Sequence, residues 1–298
     1  VPLGHRIPIL SDNTNMTRRR KRGKKNRRQI PGIQWLLYAL VFVGATITWW
    51  QSCRTDNTAK ADTIGIVDKN ALLDVAIPPS QTGTTVRYPG FTVNFNSDKH
   101  IPNYVAWELT RNHVDGPYKR TNNFRADESV AGCATPEDYR RSGYDRGHMA
   151  PAADMKWSSQ AMDACFLLTN ICPQSQHLNT GPWRKLEEAT RRWAARDSAL
   201  IVICGPILTD KLTETIGTTE VAAPKRFFKV ILAPYADPPR GIAFVMSNLV
   251  QPGGMQTAAT SIDEVEHITG MDFFAALPDD IEAQVEEQNN FNQWQRRR

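Results

Sequence analysis

Tyr144-Asp145-Arg146-Gly147-His148 packs an acid, a cation, a flexible residue and an imidazole into five positions. Downstream, in order, come Phe166-Leu167-Leu168-Thr169-Asn170, Pro173-Gln174, Leu178-Asn179, Trp183 and Leu186-Glu187. The run from Phe166 to Asn170 reads as a strand. The segment from Pro182 to Arg196 reads as a helix, with proline in its first turn and basic residues at its end. A strand, strand, helix unit of this kind brings His148 and Asn179 to one point in space, and the rest of the fold has to be arranged around it.

On either side of this unit the pattern is that of a mixed domain. Phe91-Thr92-Val93-Asn94-Phe95 alternates with period two, and Tyr104 to Leu109 is a second strand candidate. Ala199 to Cys204, Phe227 to Leu232 and Ile242 to Met246 are short apolar runs bounded by Gly or Pro, as buried strands are. Ser261-Ile262-Asp263-Glu264 places a Ser-x-x-Glu capping box before Val265 and Ile268. The strands outnumber the helices and do not alternate with them. The expected class is therefore α+β, a mostly antiparallel central sheet flanked by helices, over residues 85–285. Residues 286–298, rich in Gln and Asn and ending in three arginines, read as a frayed polar tail.

Hydrolysis of a phosphodiester needs a base that makes hydroxide from water, a divalent ion for the charge growing on the oxygens, and donors for the remaining oxygens. His148 titrates in the range suited to the base. Asn179 offers a hard carbonyl oxygen of the kind Mg²⁺ accepts. Glu187 lies eight residues on, up to ~12 Å away along a helix, which suits a hold on the ion through water. Arg146 can fork onto phosphate oxygens. The bland readings are a loop histidine, a helix-capping Asn179, a Glu187–Arg191 surface pair and, for Trp183 and Trp193, simple packing.

Asp145-Arg146-Gly147-His148 with the ordered set Asn170 to Gln174, Asn179, Trp183 and Glu187 resembles the DNA/RNA non-specific endonuclease family. Its members share a ββα-metal (His-Me) finger. The resemblance runs from about Tyr88, through Phe124-Arg125-Ala126-Asp127, to Leu277-Pro278. It implies His148 as general base, Asn179 as metal ligand, Glu187 as outer carboxylate and Arg146 near the scissile phosphate. An arginine from the Arg120 to Arg125 region, matched best by Arg125, would stabilise the transition state. Asn170 and Gln174 would wall the site and Asp145 support its loop. The implied cofactor is Mg²⁺, with Mn²⁺ as a substitute, and the implied products are 5′-phosphate and 3′-hydroxyl ends of DNA and RNA. A homodimer and a protein inhibitor stay open as partners. Two alternatives remain: a catalytically inactive nucleic-acid-binding or uptake module on the same fold, and a phosphodiesterase for small substrates.

Net charge is +5, unevenly spread: residues 1–30 hold ten Lys/Arg and one acid, which leaves 26 bases against 30 acids. The folded part thus does not announce a nucleic-acid partner by charge. Residues 1–32 read as a basic cytoplasmic segment and 33–50 as an uncharged transmembrane anchor in the lipid bilayer. With ~1.5 Å rise per residue the anchor just crosses a bilayer core, and Trp35, Trp49 and Trp50 suit the headgroup zones. Residues 51–84 read as a linker. The expected location is a single-pass membrane protein with its domain outside the cytoplasm, periplasmic or extracellular; a mitochondrial membrane is the alternative, since an Arg-rich, acid-poor start also resembles a transit segment. Cys133, Cys165, Cys172 and Cys204 lack metal-site spacing. In an exported domain they allow two bridges in any of three pairings, or free buried thiols.

Overall fold

A computed structural model describes residues 78, 82–209, 214–250 and 252–295. Strands β1 (Thr84–Tyr88), β2 (Phe91–Asn96) and β3 (Ile101–Thr110) come first, followed by the short helix α1 (Arg111–Val114). Two short strands, β4 (Asp145–His148) and β5 (Ile171–Gln174), flank helix α2 (Ser159–Ala164). Helix α3 (Arg184–Asp197) leads into β6 (Ala199–Pro206). Then come β7 (Thr215–Ile216), β8 (Val221–Ala222), β9 (Arg226–Ala233), β10 (Arg240–Ser247) and β11 (Ala259–Thr260). Helices α4 (Ile262–Thr269), α5 (Asp279–Glu286) and α6 (Phe291–Gln295) complete the described chain.

The main sheet has seven strands in the order β1-β2-β3-β6-β9-β10-β11, and every neighbouring pair is antiparallel. The expected α+β class with an antiparallel sheet is what the chain adopts. Alternation along β6 sends Leu200, Val202 and Cys204 to one face and Ile201 and Ile203 to the other. Leu186, Ala189 and Trp193 of α3 cover the first face; Ile262 and Val265 of α4 with Ile281 and Val285 of α5 cover the second. Strands buried on both faces need apolar side chains in both directions, which is why their sequence runs are continuous. Each such Leu, Ile or Phe contributes roughly 1.5–3 kcal/mol. Ser261 caps α4, its Oγ accepting the Glu264 N–H at 3.2 Å.

Three expectations need correction. The strand assigned to Phe166–Asn170 is displaced: Leu168–Asn170 is a 3₁₀ turn and the strand is Ile171–Gln174. Asn170 causes the turn, since its buried amide bonds the backbones of Ala150 and Cys165 instead of continuing an extended run. The helix expected from Pro182 starts at Arg184, after a wide turn at Asn179–Trp183 that is kinked at Gly181 (φ −109, ψ −110). Part of the 286–298 stretch is docked, not frayed. In α6, Trp294 is buried against Trp193 with ring centroids 5.0 Å apart, and its carbonyl accepts from Arg196 Nη1 at 3.0 Å. Of the two readings left open for the cysteines, the free-thiol one holds: Cys133, Cys165, Cys172 and Cys204 are free.

The basic segment 1–32, the anchor at 33–50 and nearly all of the linker at 51–84 lie outside the described residues. Among the described residues, no helix is long and apolar enough to cross a membrane.

Candidate active site

Strand β4 pairs antiparallel with β5, setting Asp145 opposite Gln174 and His148 opposite Ile171. Gly147 is required where Gln174 lies across the strand, because a Cβ there would sit 2.2 Å from Gln174 Oε1. The chain leaving His148 is stapled by Asn170: Met149 N donates to its carbonyl, Ala150 N to its Oδ1, and its Nδ2 to the Ala150 and Cys165 carbonyls, each at 2.9 Å.

Asn248, at the end of β10, brackets the other side of the unit. Its Oδ1 accepts from Ser175 N at 2.8 Å, and its Nδ2 donates to the Pro173 and Pro224 carbonyls at 3.0 and 2.7 Å. Ser175 in turn caps the short helical turn Gln176–Leu178 and takes the Asn179 N–H on its carbonyl. Asn179 Nδ2 donates to Asp145 Oδ2 at 2.9 Å. That bond fixes the amide: nitrogen toward Asp145, and Oδ1 turned away and free of protein donors among the described residues.

His148 is buried at 7 % exposure, between Phe124 (ring centroids 5.3 Å) and the edge-on ring of Phe166 (5.0 Å). Its Nε2 has no hydrogen-bond partner. Burial first, then the charges of Arg120 and Arg146, depress its pKa to about 3, so the ring is neutral across the physiological range. The guanidinium of Arg146 lies 4.4 Å from the Phe124 centroid, and that of Arg120 lies 5.1 Å from Phe166. Arg125 is spent elsewhere: its Nη2 binds Asp163 at 2.6 Å and its Nη1 donates to the Asp163 carbonyl at 3.3 Å.

Glu187 is half-buried in the first turn of α3. Burial pushes its carboxyl up to about 7; Asp154 adds to the shift, and Lys229, Arg191 and Arg120 oppose it. Arg191 does not form the surface pair with Glu187 that the bland reading offered. It reaches buried Asp154 at 2.9 Å, where Trp107 Nε1 also donates at 3.1 Å. Lys229 is buried, its Nζ 4.6 Å from the Trp183 ring and 5.3 Å from Trp107. The two tryptophans therefore do more than fill space: they hold a desolvated ammonium whose charge acts on Glu187.

The fold thus gathers His148, Arg146 and Arg120 around two phenylalanines and ties Asn179 to Asp145. Arg120 charges both His148 and Glu187. Arg125 is not brought into the aromatic cluster around His148. Asn248, Asp154 and Lys229 escaped the sequence reading, as isolated polar residues distant from the motif with nothing local to mark them.

A protein-family model described as "DNA/RNA non-specific endonuclease" matches residues 68–280. The chain belongs to the DNA/RNA non-specific endonuclease family. It is 36% identical over 209 residues to the mitochondrial nuclease EXOG of Danio rerio, an alignment covering 64% of this chain and 60% of that protein. A nuclease of Nostoc sp. is 30% identical over 210 residues, covering 66% of this chain and 75% of its own length. The chain therefore spans less than two thirds of the EXOG relative's length. Among solved structures, a chain of an EndoG/EndoGI complex, whose title concerns the mechanism of EndoG inhibition, superposes with a TM-score of 0.67. It shares 26% identity, covering 74% of this chain and 96% of its own. The family's ββα-metal finger is β4, β5 and the helical segment from Gln176 into α3.

Proposed function

We propose that the protein is a Mg²⁺-dependent endonuclease, with Mn²⁺ able to substitute, that hydrolyses phosphodiester bonds in DNA and RNA. The observation that carries this reading is the amide of Asn179, held at its nitrogen by Asp145 so that a hard oxygen donor is presented free. This donor fits an oxygen-ligated cation, and Glu187, whose proton such an ion would displace, would hold it through water. When bound, the ion offsets negative charge developing on the phosphate oxygens.

His148 takes a proton from water at Nδ1, its Nε2 being sealed in the protein. The water oxygen bonds to phosphorus, the P–O bond to the leaving 3′-oxygen breaks, and that oxygen takes a proton from solvent water to become the 3′-hydroxyl. Arg146 and Arg120, lying over the rings of Phe124 and Phe166, are positioned to receive the phosphate oxygens. Approach of the phosphate offsets the two positive charges that depress His148, which raises its affinity for the proton when it is needed.

Incubating the full chain with plasmid and with RNA, with and without chelator, tests the reading. Cleavage that ceases with chelator supports it. Binding without cleavage would support an inactive nucleic-acid-binding module instead. His148→Ala is expected to lose at least ~10²-fold in turnover, and near-normal plasmid nicking by that variant would refute the assignment. Asn179→Ala is expected to require far higher Mg²⁺; an unchanged metal titration excludes it as the ligand.

Residues 33–50 we assign to membrane anchoring. The EXOG relatives are named mitochondrial, which favours a mitochondrial membrane over a bacterial one. Retention of the full chain in carbonate-washed membranes, lost on deleting 33–50, is the expected result. The complex of EndoG with an inhibitor supports a protein inhibitor for this chain as well.

A further inference from the structure

On the opposite face of the main sheet from the finger, α4 and α5 bring three acids together. Oxygens of Asp263, Glu266 and Glu286 all lie within 4.8 Å of one another. Asp263 and Glu266 stand one turn apart on one face of α4, and Glu286 ends α5. The second, independent observation is at Glu286. Its side chain is buried at 7 % exposure, and Oε1 has no hydrogen-bond partner. A buried, unpartnered carboxylate is costly, and natural structures retain one where something binds it. Glu266 is already oriented, since its Oε1 accepts the Phe273 N–H at 2.6 Å, leaving its other oxygen for a ligand. Burial first, then its acidic neighbours Glu266, Glu282, Asp263 and Asp272, push the pKa of Glu286 up to about 9.

We propose that Asp263, Glu266 and Glu286 form a second cation site, distinct from the Asn179 site, that takes a divalent ion of the calcium class. The donor set is all oxygen, which excludes a thiolate or imidazole metal. Three protein carboxylates suit Ca²⁺, which takes six to eight oxygens in flexible geometry, better than Mg²⁺, which dehydrates reluctantly and keeps several waters. The bound ion would fasten the end of α5 to α4, and so stabilise the helical layer on this face.

The test is thermal unfolding of the full chain carrying Asn179→Ala, so that the finger site is disabled. The chelator-treated protein is titrated with Ca²⁺ up to about 10 mM, beyond the weak end of protein calcium affinities. Tm is expected to rise by about 3–6 °C. The rise should vanish when Glu286→Gln is added and shrink strongly with Asp263→Asn, an exposed change that leaves the core intact. No Ca²⁺-dependent rise overturns the proposal, as does an equal rise in both added variants. A larger rise with Mg²⁺ than with Ca²⁺ overturns the calcium assignment.

Discussion

Arg120 and Arg125 come from one loop yet meet different partners. Arg125 is engaged by Asp163 at 2.6 Å with both side chains more than a third exposed, whereas Arg120 lies on Phe166 and its charge reaches both His148 and Glu187. An exposed ion pair of this kind contributes only about 0.2–1 kcal/mol. Arg125→Gln is therefore expected to change Tm slightly and turnover little. Arg120→Gln should lower turnover by about 10²-fold, the usual consequence of removing one preorganised positive donor. It should also raise the His148 pKa, because Arg120 is the larger of the two charges depressing it. Turnover of both variants, with a ring-proton NMR titration of His148, decides the matter. A greater turnover loss for Arg125→Gln would return the transition-state role to that residue.

The ββα element shows where sequence reading succeeds and where it stops. Strand β2 was legible from the alternation of Phe91, Val93 and Phe95, strands β3, β6, β9 and β10 from apolar runs that burial on the sheet demands, and the finger because its residue types are dictated by chemistry. The turn at Leu168–Asn170 was not legible, since it depends on Asn170 bonding Ala150, which is twenty positions away. Nor was Asn248, whose partners Pro173, Ser175 and Pro224 meet only after folding. Trp294 was hidden in a polar segment, because one docked aromatic leaves no periodic trace. Asn248 carries a prediction at this scale. Asn248→Ala removes three hydrogen bonds and leaves buried backbone groups of the finger unpaired, a loss of about 1–3 kcal/mol. As Ser175 caps the turn that orients Asn179, the variant should also need more Mg²⁺ for half-maximal cleavage. A lowered Tm with an unchanged Mg²⁺ requirement would confine Asn248 to packing.

Across the whole molecule, buried titratable groups set opposing limits on stability when no divalent ion is present. His148 is held near 3 in the fold against an ordinary 6.5. As pH falls below 6.5 the unfolded chain takes up a proton that the native ring refuses, so stability declines from there down to about 3. Glu187 and Glu286 act with the opposite sign. Both keep their protons in the fold above the ordinary 4.5, up to about 7 and about 9 respectively, while the unfolded chain has released them. Stability therefore declines as pH rises through each of those ranges. The slope is about 1.4 kcal/mol per pH unit for each group within its range. Urea unfolding of chelator-treated protein should show both declines. His148→Gln should flatten the acid side, because a neutral amide has no proton to refuse. Glu286→Gln should flatten the alkaline side as far as about pH 9, because no carboxylate is then forced to ionise among Glu266, Glu282 and Asp263. If Glu286→Gln left the alkaline slope as steep as before, Glu286 would not be the group that limits stability there.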